Sequence, residues 1–542
     1  MKPKFKIIII FVIALVLRLI FLDKNPTFIS DEASIGYNAY SILKTGRDEW
    51  NNFFPLVFKS FGEYKLPLYI YLSIPTIAIF GLNELGVRLP SALIGSLTVI
   101  ALFYLVKQLL LSFSESNFRD RSAIPILSSL LLAISPWHIQ LSRLALEANV
   151  ALFMTILAAT YLLKAIKNHK YYYVSFILFV LTLYTYNSCR VFVPLFLIGY
   201  FLFYKNEIVL SKIVKPFIFT LIFLIPLFVN GFSGSQERLY KVGIFNDQGI
   251  IAKINEGRGK CLSTKPQFLC LVIYNKPVFY PLALVKNYLS HFAPDYLFIK
   301  GAGLAQYGVP EQGVLYFWEL PFILLGIIFL YRFKKAFLLL FLWISIAPIA
   351  NSLTGTAHPV RAILMLPVFL ILSACGLFYS FNLLKERKYF NKIYLFLIIL
   401  VVLTSFCVFT FKYFVLYPII SDWNWQMGYK QLFAKLASQD AKYNKIYISK
   451  FYGEPHIFYL FYTKFDPLKY QKGEGVIRYD REDQWVNVDQ IGKYYFAQEP
   501  QKINLEENEL LVLPYQEFSF NTNIVDVVKY KDGKTAFLIT KK

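Results

Sequence analysis

The sequence predicts a polytopic α-helical membrane protein of about eleven transmembrane helices, followed by a C-terminal soluble α/β domain. Its 542 residues are 56% hydrophobic and 17% charged, and their mean hydropathy is +0.48. Soluble chains are about a quarter charged, so these values exclude a soluble globular protein. Apolar runs recur along the first three quarters of the chain, and the charged residues lie between the runs.

Eleven apolar runs are predicted to span the membrane within a domain of residues 1–412. The first run, residues 7–22, follows a basic start and lacks a small-residue cleavage site, so we interpret it as an uncleaved span rather than a signal peptide. Several runs are shorter than the ~20 residues that cross a bilayer, so flanking residues must extend them. The later runs lie at residues 89–110, 123–137, 148–166, 172–187, 190–204, 216–230, 314–331, 336–351, 361–381 and 393–412.

The charges of the loops predict the topology. The net charge is +22, and short loops with 19 basic and four acidic residues account for 15 of these excess charges. Such loops are retained in the cytoplasm. We therefore expect a multi-pass plasma-membrane protein with a cytoplasmic N-terminus, an extracytoplasmic C-terminal domain and no nucleic-acid partner. The loop residues are Lys2, Lys4, Lys6, Lys107, Arg119, Arg121, Lys164, Lys167, Lys170, Lys205, Lys212, Lys215, Arg332, Lys334, Lys335, Lys385, Arg387, Lys388 and Lys392, with Glu115, Asp120, Glu207 and Glu386.

Residues 66–81 are apolar but are not counted as a span, because counting them would move every later basic loop outside. Pro67 and Pro75 interrupt this stretch, and we place it at the outer face, lying in the interface or re-entering. A twelfth span is the alternative. The large outer loops are then residues 23–88 and 231–313.

Residues 413–542 change in composition and predict the soluble α/β domain. A helical pattern at residues 428–438 precedes short alternating runs, and Asp532-Gly533 is typical of a hairpin turn. The predicted strands are KIYIS at 445–449, KYYFA at 493–497, ELLVLP at 509–514, and VDVVKY and TAFLIT on either side of the hairpin turn.

The five cysteines, at positions 189, 261, 270, 375 and 407, have no spacing typical of metal ligands. Only Cys261 and Cys270 share a predicted outer loop, where an oxidising compartment would permit a disulfide. Two unpaired thiols are the alternative.

An acidic pair, Asp31 and Glu32, follows the first span by nine residues and begins a helical pattern. Charged side chains beside a membrane span are costly to bury unless they have a partner or a function. Ser30 could cap this helix, with the acids in its first turn. A cap explains one acid better than two, so the pair is a candidate for catalysis.

The same outer loop carries the complementary charges. Glu63 and Lys65 precede the proline-containing apolar stretch, and Arg88 stands at the head of the next span. A lone basic residue at a span end is commonly an interfacial anchor. Together with Asp31 these residues predict an outer-face pocket in which an acid acts as a base and cations hold an anion.

With these residues the chain resembles the glycosyltransferase superfamily of the protein O-mannosyltransferases and aminoarabinose transferases, of glycosyltransferase family 39 type, which has the GT-C membrane fold. The resemblance covers roughly residues 5–412 in order and spacing, and departs from the family's K/H-P-P-L pattern at Leu66. The matching segments are Asp31-Glu32, KLPL at 65–68, FGLNELGVRLPSAL at 80–93, SPWHIQLSR at 135–143, LYTYNSCRVF at 183–192 and AHPVRAILMLP at 357–367.

The resemblance implies transfer of a sugar from a polyprenyl phosphate-linked donor to a lipid, glycan or protein acceptor on the outer face. The first acid of the pair, Asp31, would be the general base, and the single attack would invert the anomeric centre. The resemblance also favours Arg361 as a phosphate ligand together with Lys65, and Arg88 and Arg190 are reserves.

The remaining pocket candidates are Glu63, Tyr186 and three residues at one outer junction between spans. His138, Arg143 and Glu147 are spaced so that they could share one helix face, and an Arg143–Glu147 salt bridge is the equal alternative. For His358, a role in the core or interface is as well supported as a place in the pocket.

A divalent metal is left open, because Asp31, Glu32, Glu63 and the histidines could ligate one although no spacing demands it. Two other functions compete with the transferase. A transporter or flippase of lipid-linked substrates would favour charges within the spans, where the sequence has mainly Arg18. A structural or adhesion protein would act through the C-terminal domain, whose sequence shows no site.

Overall fold

The structure is a computed structural model that describes residues 3–111, 122–227, 229, 243–384, 386–420, 426, 428–482, 485–518 and 523–542. Several loop charges used for the topology, together with the first residues of the outer loop 231–313, lie outside the described residues; these charges are Lys2, Glu115, Arg119, Asp120, Arg121 and Lys385. The chain forms two compact units. The first contains residues 1–15, 94–141 and 148–406, and the second contains residues 16–93, 142–147 and 407–542.

The first unit is helical, and its apolar helices follow the runs read from the sequence. Helices Glu319–Tyr331 and Leu366–Leu383 pack so closely that a Cβ on Gly326 or on Gly376 would lie within about 2 Å of the partner's backbone. The helices that lie wholly in this unit are Ala123–Ile134, Tyr171–Leu183, Cys189–Phe203, Leu210–Leu221, Gln248–Leu262, Gln267–Ile273, Lys276–Ser290, Glu319–Tyr331, Lys334–Ile346, Ile349–Ser352 and Leu366–Leu383.

Three helices carry the chain from one unit to the other, and two more end or begin at a unit boundary. Pro3–Leu19, Glu84–Leu111 and Lys388–Phe411 cross between the units. Pro136–Ser142 ends at the first residue of the segment 142–147 of the second unit, and Glu147–Ala165 begins at the last residue of that segment. Glu84–Leu111 has Pro90 inside the helix, where proline removes one intrahelical hydrogen bond. These helices therefore lie in the chain between the segments of the second unit and the apolar helices of the first.

Six helices in the described part of the chain are long and apolar enough to cross a membrane, and counting one bent pair as a single span gives seven. The pair is Ala123–Ile134 with Pro136–Ser142, bent by 57°. The six are Glu84–Leu111, Glu147–Ala165, Gln267–Ile299, Lys334–Ser352, Ile363–Leu383 and Tyr389–Ile419. A helical membrane architecture is thus supported, but the number of eleven spans is not confirmed.

Two stretches differ from a simple count of spans. Residues 66–81 form a helix of 14 residues, Pro67–Phe80, which is shorter than a bilayer requires. Gln267–Ile299, within the predicted outer loop, is apolar and long enough to span. In that loop Cys261 and Cys270 are joined by a disulfide, the pairing that the sequence analysis weighed against two free thiols.

The second unit contains a seven-stranded mixed sheet formed by the C-terminal domain. Its order is β4-β5-β6-β3-β7-β9-β8, in which β3 lies parallel to β6 and to β7 and the other pairs are antiparallel. All six residues of β7 are buried, as expected for a strand covered on both faces. The strands are β3 (Lys445–Ser449), β4 (Val476–Asp480), β5 (Val486–Ile491), β6 (Tyr494–Ala497), β7 (Glu509–Pro514), β8 (Asn523–Lys529) and β9 (Thr535–Lys541).

The sequence predicted five of these seven strands and missed two. β3, β6, β7 and the β8–β9 hairpin lie at the expected positions, and Gly533 in the hairpin turn has φ +84. The predicted helix at residues 428–438 is Tyr429–Gln439. The missed strands are β4, with sequence VIRYD and no buried position, and β5, in which Val486 and Val488 are buried and alternate with the half-buried Asn487 and Asp489.

The outer loop 23–88 also belongs to the second unit and supplies the elements of the candidate site. A helix, Ser30–Thr45, is followed by a small antiparallel hairpin of β1 (Phe58–Ser60) and β2 (Glu63–Lys65). The shorter helices of the C-terminal domain in this unit are Tyr417–Ile420, Pro455–Tyr462 and Pro467–Lys472. Helix Ser30–Thr45 places its buried face against helix Pro455–Tyr462.

Candidate active site

The two acids of the pair have different environments. Glu32 and Arg88 are both fully buried and form a bidentate ion pair, with Arg88 Nε 2.8 Å from Glu32 Oε1 and a terminal nitrogen 2.6 Å from Oε2. The other N–H groups of Arg88 donate to backbone carbonyls of Leu22, Pro26 and Thr27. All five donors of the guanidinium are used, so Arg88 has none left for a phosphate and is not retained as a phosphate ligand.

The carboxylate of Glu32 is equally saturated. Besides Arg88, it accepts the backbone N–H groups of Ile29 at 3.3 Å and Ala145 at 2.9 Å. Helix Ser30–Thr45 begins after Ile29, so the expected cap by Ser30 is wrong, because Ser30 is already the first helical residue. Glu32 reaches back to the free N–H of Ile29 and performs the capping itself. Its bonds make Glu32 a structural residue rather than a catalytic one.

Asp31, in contrast, faces outward from this buried network. Its side chain is 34% exposed and accepts one hydrogen bond of 2.6 Å from Lys65 Nζ, whose side chain is 6% exposed. Lys65 ends β2, and Asp31 lies in the first turn of helix Ser30–Thr45. The hairpin therefore brings a buried cation to the more accessible acid of the pair.

Two further carboxylates surround the same ammonium group. Burial alone would lower the pKa of Lys65, but the charges of Asp31, Glu63 and Glu147 outweigh burial and raise this pKa above its ordinary value. Lys65 therefore stays protonated throughout the physiological range. A lysine facing three carboxylates suits the orientation of Asp31 better than the capture of a phosphate dianion.

The three residues predicted at one outer junction do not share a helix. His138 is buried within helix Pro136–Ser142, Arg143 follows that helix, and Glu147 begins the next one. Arg143 donates to the carbonyls of Leu17, Arg18, Phe21 and Asn25 instead of pairing with Glu147, in the part of the chain that the structure describes. In the described residues neither the shared helix face nor the salt bridge is formed, because residues 143–146 between the two helices are not helical.

The other predicted residues lie in the first unit. Arg361 is half-buried and donates to Thr354 Oγ1 at 2.9 Å, and His358 contacts the ring of Tyr307 at 5.0 Å. Arg190 is half-buried and donates through Nε to the carbonyl of Leu183, and Tyr186 is half-buried nearby in sequence. Of these side chains, Arg361 has the geometry most compatible with binding an anion, since it lies in a loop rather than within an apolar helix.

No group of three or more His, Cys, Asp or Glu side chains in the described ranges is arranged to hold a metal ion. The charges of Asp31, Glu63 and Glu147 act on the ammonium group of Lys65.

A protein-family model for dolichyl-phosphate-mannose-protein mannosyltransferases matches residues 65–230. No curated protein matches the chain by sequence. Among solved structures, ArnT from Cupriavidus metallidurans bound to undecaprenyl phosphate is 13% identical with a TM-score of 0.53, covering 99% of this chain and 98% of that one. The archaeal oligosaccharyltransferase AglB from Archaeoglobus fulgidus, in complex with an inhibitory peptide and a dolichol-phosphate, is 12% identical with a TM-score of 0.52, covering 93% and 75%.

The chain has the GT-C glycosyltransferase fold. This confirms the resemblance that the outer-loop and span motifs indicated. The crystal structure of the Archaeoglobus fulgidus oligosaccharyltransferase tethered with an acceptor peptide is also similar, at 12% identity and a TM-score of 0.52. The match covers 84% of this chain but only 62% of the longer oligosaccharyltransferase. This GT-C chain thus spans less than two thirds of that relative.

Sequence reasoning missed a second group of buried residues in the outer loop of this GT-C chain. Glu49 is 5% exposed; its Oε1 accepts from Asn38 Nδ2 at 2.9 Å, and its backbone N–H donates to Asn38 Oδ1. Arg478 donates to the carbonyl of Glu49 and lies between the rings of Trp50 and Tyr470, at 4.1 and 4.4 Å from their centres. A second acidic pair, Asp48-Glu49, beside Trp50 was the available signal.

The folding stability of the protein should depend on pH through the ionisation of Glu49. Burial raises the pKa of its carboxyl to about 7, against the opposing effects of Asn38 and Arg478. This pKa lies above the value of about 4.3 expected in the unfolded chain. The resulting contribution to folding stability, on the order of 3 kcal/mol, is fully present below about pH 4.3 and is lost as the pH rises through about 7. The charged and titratable groups around Glu49 are Asp48, Lys65, Arg478, Tyr37 and Tyr470.

We expect Glu49→Gln to flatten the decline in thermal stability of the purified protein between about pH 5 and pH 8, because glutamine cannot ionise. Unfolding followed by intrinsic fluorescence in detergent measures this. Glu256→Gln, at an exposed pair with Lys260, is the control and should retain the wild-type slope. Equal slopes for Glu49→Gln and the wild type would show that Glu49 does not titrate in this range.

Proposed function

We propose that this GT-C chain transfers a sugar from a polyprenyl phosphate-linked donor to an acceptor hydroxyl on the outer face of the membrane, with inversion and with Asp31 as general base. The observation that carries the proposal is the Asp31–Lys65 pair, an accessible carboxylate held at 2.6 Å by a buried ammonium group. The ArnT structure contains undecaprenyl phosphate and the AglB structure contains a dolichol-phosphate, which supports a donor of this class here.

In this mechanism the acceptor hydroxyl approaches the exposed side of Asp31. Asp31 takes the hydroxyl proton while the oxygen attacks the anomeric carbon and the lipid phosphate departs with the bonding electrons. A single displacement inverts that carbon. Lys65 keeps the carboxylate oriented through the reaction, because its hydrogen bond fixes the position of Oδ1.

The second acid, Glu32, has no part in the proton transfer. A carboxylate that accepts four hydrogen bonds and has no exposed surface cannot reach an incoming hydroxyl. Glu32 instead links the Asp31 helix to Arg88 and to the backbone at Ala145. The acidic pair therefore divides into a base and a structural anchor.

The test of the proposal is reconstitution of the purified chain in liposomes with radiolabelled polyprenyl phosphate hexose or pentose donors and a lysate of candidate acceptors. Transfer of label to a product, with loss of label from the lipid, is the expected result. Inversion is read from the anomeric configuration of the product. Movement of intact labelled lipid across the bilayer without any product would support the transporter interpretation instead.

Arg361 is proposed as a ligand of the donor phosphate. The leaving phosphate gains charge as it departs, and a guanidinium can hold two of its oxygens in a fixed geometry. We expect Arg361→Lys to lower turnover about 10-fold or more, because a point charge loses the second hydrogen bond. Turnover and donor affinity measured in the same liposomes check this.

Two controls separate this role from a local structural one. Arg258→Lys, at an arginine of the same unit that donates to the carbonyl of Tyr274, should leave donor affinity unchanged. Lys65→Arg should be partly tolerated, since either cation can pair with Asp31. If Arg361→Ala kept the wild-type donor affinity and turnover, Arg361 would be a membrane anchor, and other residues would bind the donor phosphate.

The outer-face assignment predicts the accessibility of single cysteines in intact cells. A cysteine at position 534, in the C-terminal domain, should react with a membrane-impermeant reagent, and cysteines at 167 and 388 should not. The background should lack Cys407, the exposed free thiol. Labelling at position 388 from outside would reverse the topology and with it the face on which transfer is proposed.

A further inference from the structure

The C-terminal domain contacts both elements that carry the Asp31–Lys65 pair. We call helix Ser30–Thr45 the Asp31 helix and the β1–β2 hairpin, residues 58–65, the Lys65 hairpin. Both elements and the C-terminal domain belong to the second compact unit. The sequence of this domain shows no site of its own, and its contacts with these two elements indicate a role in supporting them.

The middle of the Asp31 helix packs on the C-terminal helix Pro455–Tyr462. A Cβ on Gly36 would lie 2.6 Å from the ring of Phe461, so only glycine allows this approach. One turn along, Tyr37 donates its hydroxyl to the carbonyl of Phe465 at 3.1 Å. Phe28, just before the helix, contacts Phe461 with ring centres 4.7 Å apart.

Both ends of the Asp31 helix are also held by C-terminal residues. At the start, Ser30 donates its backbone N–H to Gln426 Oε1 at 3.0 Å. Beyond the last turn, Gln471 Nε2 lies 2.9 Å from Ser41 Oγ and 2.9 Å from the carbonyl of Asp48. The donor at Ser30 is adjacent to Asp31, so the base is fixed within one residue of a contact with the C-terminal domain.

Arg478 reaches the same helix through Glu49. It stacks between two aromatic rings and donates to the Glu49 carbonyl, and Glu49 in turn binds Asn38 in the Asp31 helix. Asn38 Nδ2 also donates to the carbonyl of Ser34, one turn closer to Asp31. A continuous series of hydrogen bonds therefore runs from strand β4 to the helix that carries the base.

The Lys65 hairpin is held in the same manner at its turn. The carbonyl of Phe61 accepts the backbone N–H of Val486 at 2.9 Å, and Gly62 lies under Trp485 with space for no side chain. On β1, Lys59 forms a 2.6 Å ion pair with Asp480. Only Glu63 and Tyr64 separate the turn from Lys65, so the position of the ammonium group depends on this contact.

We propose that the C-terminal sheet domain is a positioning element of the transferase site, with Arg478 and Gln471 as positioning residues that hold Asp31 in line with Lys65. This inference rests on the proposed function. The Asp31 helix and the Lys65 hairpin are short elements of one loop, and a two-stranded hairpin is marginally stable by itself. The seven-stranded sheet supplies the rigid support.

Misplacing a catalytic group by about 1 Å can cost about 100-fold in rate, even when the altered residue is remote from the reacting atoms. Arg478→Ala removes the stacked cation and the bond to Glu49, and we expect a loss of about 10- to 100-fold in kcat with little change in KM for the donor. Arg478→Lys, which keeps the charge but not the planar fork, should recover part of the loss.

The experiment compares Arg478→Ala, Arg478→Lys and Gln471→Ala with Lys534→Ala in the full-length protein. Lys534 lies in the β8–β9 hairpin turn, paired with Asp532, and its variant should keep wild-type kcat. Rates are divided by the amount of folded protein, which separates positioning from loss of fold. Hydrogen–deuterium exchange of residues 30–45 and 58–65 is measured on the same samples.

The inference requires faster exchange in both segments for Arg478→Ala and Gln471→Ala, but not for Lys534→Ala, together with the fall in kcat. Wild-type kcat per folded molecule in Arg478→Ala overturns it, and so does unchanged exchange in both segments. A wild-type protein that transfers no sugar defeats the proposed function instead. The exchange data then decide by themselves whether the C-terminal domain holds the two elements.

Discussion

Replacing Asp31 by asparagine is expected to lower the rate of sugar transfer by about 10²- to 10⁴-fold, the usual contribution of a general base. Asparagine keeps the shape of the side chain but cannot take the acceptor's proton. Asp31 pairs with Lys65, and the side-chain contact that caps the helix is made by Glu32. The fold of the outer loop should therefore survive the change.

The rate of sugar transfer in liposomes measures the loss of activity, and the thermal midpoint of the purified variant measures whether the fold is kept. Asp526→Asn is a matched control, because it also removes a carboxylate from a 2.6 Å lysine pair in the same unit, at a similarly exposed position. This control should keep most of the wild-type kcat. If Asp31→Asn turned over like the control, the proton would have to go to another group, and Asp31 would only orient Lys65.

Replacing Glu32 by alanine is expected to prevent stable folding rather than to slow the reaction. The change leaves the guanidinium of Arg88 buried without its counter-charge, and breaking a buried pair in this way costs about 3–5 kcal/mol. It also leaves the N–H groups of Ile29 and Ala145 without their acceptor. Such a loss is a large fraction of the stability of a typical domain.

Thermal unfolding in detergent and the yield of monodisperse protein measure this loss. The paired change Glu32→Met with Arg88→Leu removes both charges and should recover much of the stability, since apolar residues of similar volume can replace a buried ion pair. Glu256→Ala, at an exposed pair, should be nearly neutral. A well-folded but inactive Glu32→Ala would return Glu32 to the catalytic residues.

Secondary-structure elements with a clear short-range pattern could be predicted from the sequence. Helix Ser30–Thr45 and strand β3 were predicted because each satisfies a short-range pattern of apolar and polar residues. The hairpin before Lys65 was missed, because two strands of three residues are too short to show an alternation. The exact number of spans was beyond the same method, since several apolar helices have only 13 to 15 residues.

The sequence predicted which charged residues belong to the candidate site but not how they pair. The sequence placed Asp31, Glu32, Lys65 and Arg88 on one outer loop, but it offered both cations as phosphate ligands. The structure pairs one cation with each acid: Lys65 with Asp31 and Arg88 with Glu32. Two neighbouring carboxylates on a helix point in different directions, so their partners depend on which elements pack on each face.

By itself, the sequence determined that this chain is a helical membrane protein with an acidic pair after its first apolar run and a sheet-forming C-terminal domain. These properties follow from composition and from the period of apolar residues, which act locally along the chain. Only the tertiary structure decided which acid is buried, which is partly exposed and which elements support each of them. Glu32 and Arg88 are 56 residues apart, and Tyr37 and Phe465 are 428 apart, so their contacts are set by packing in space and leave no periodic signal in the sequence.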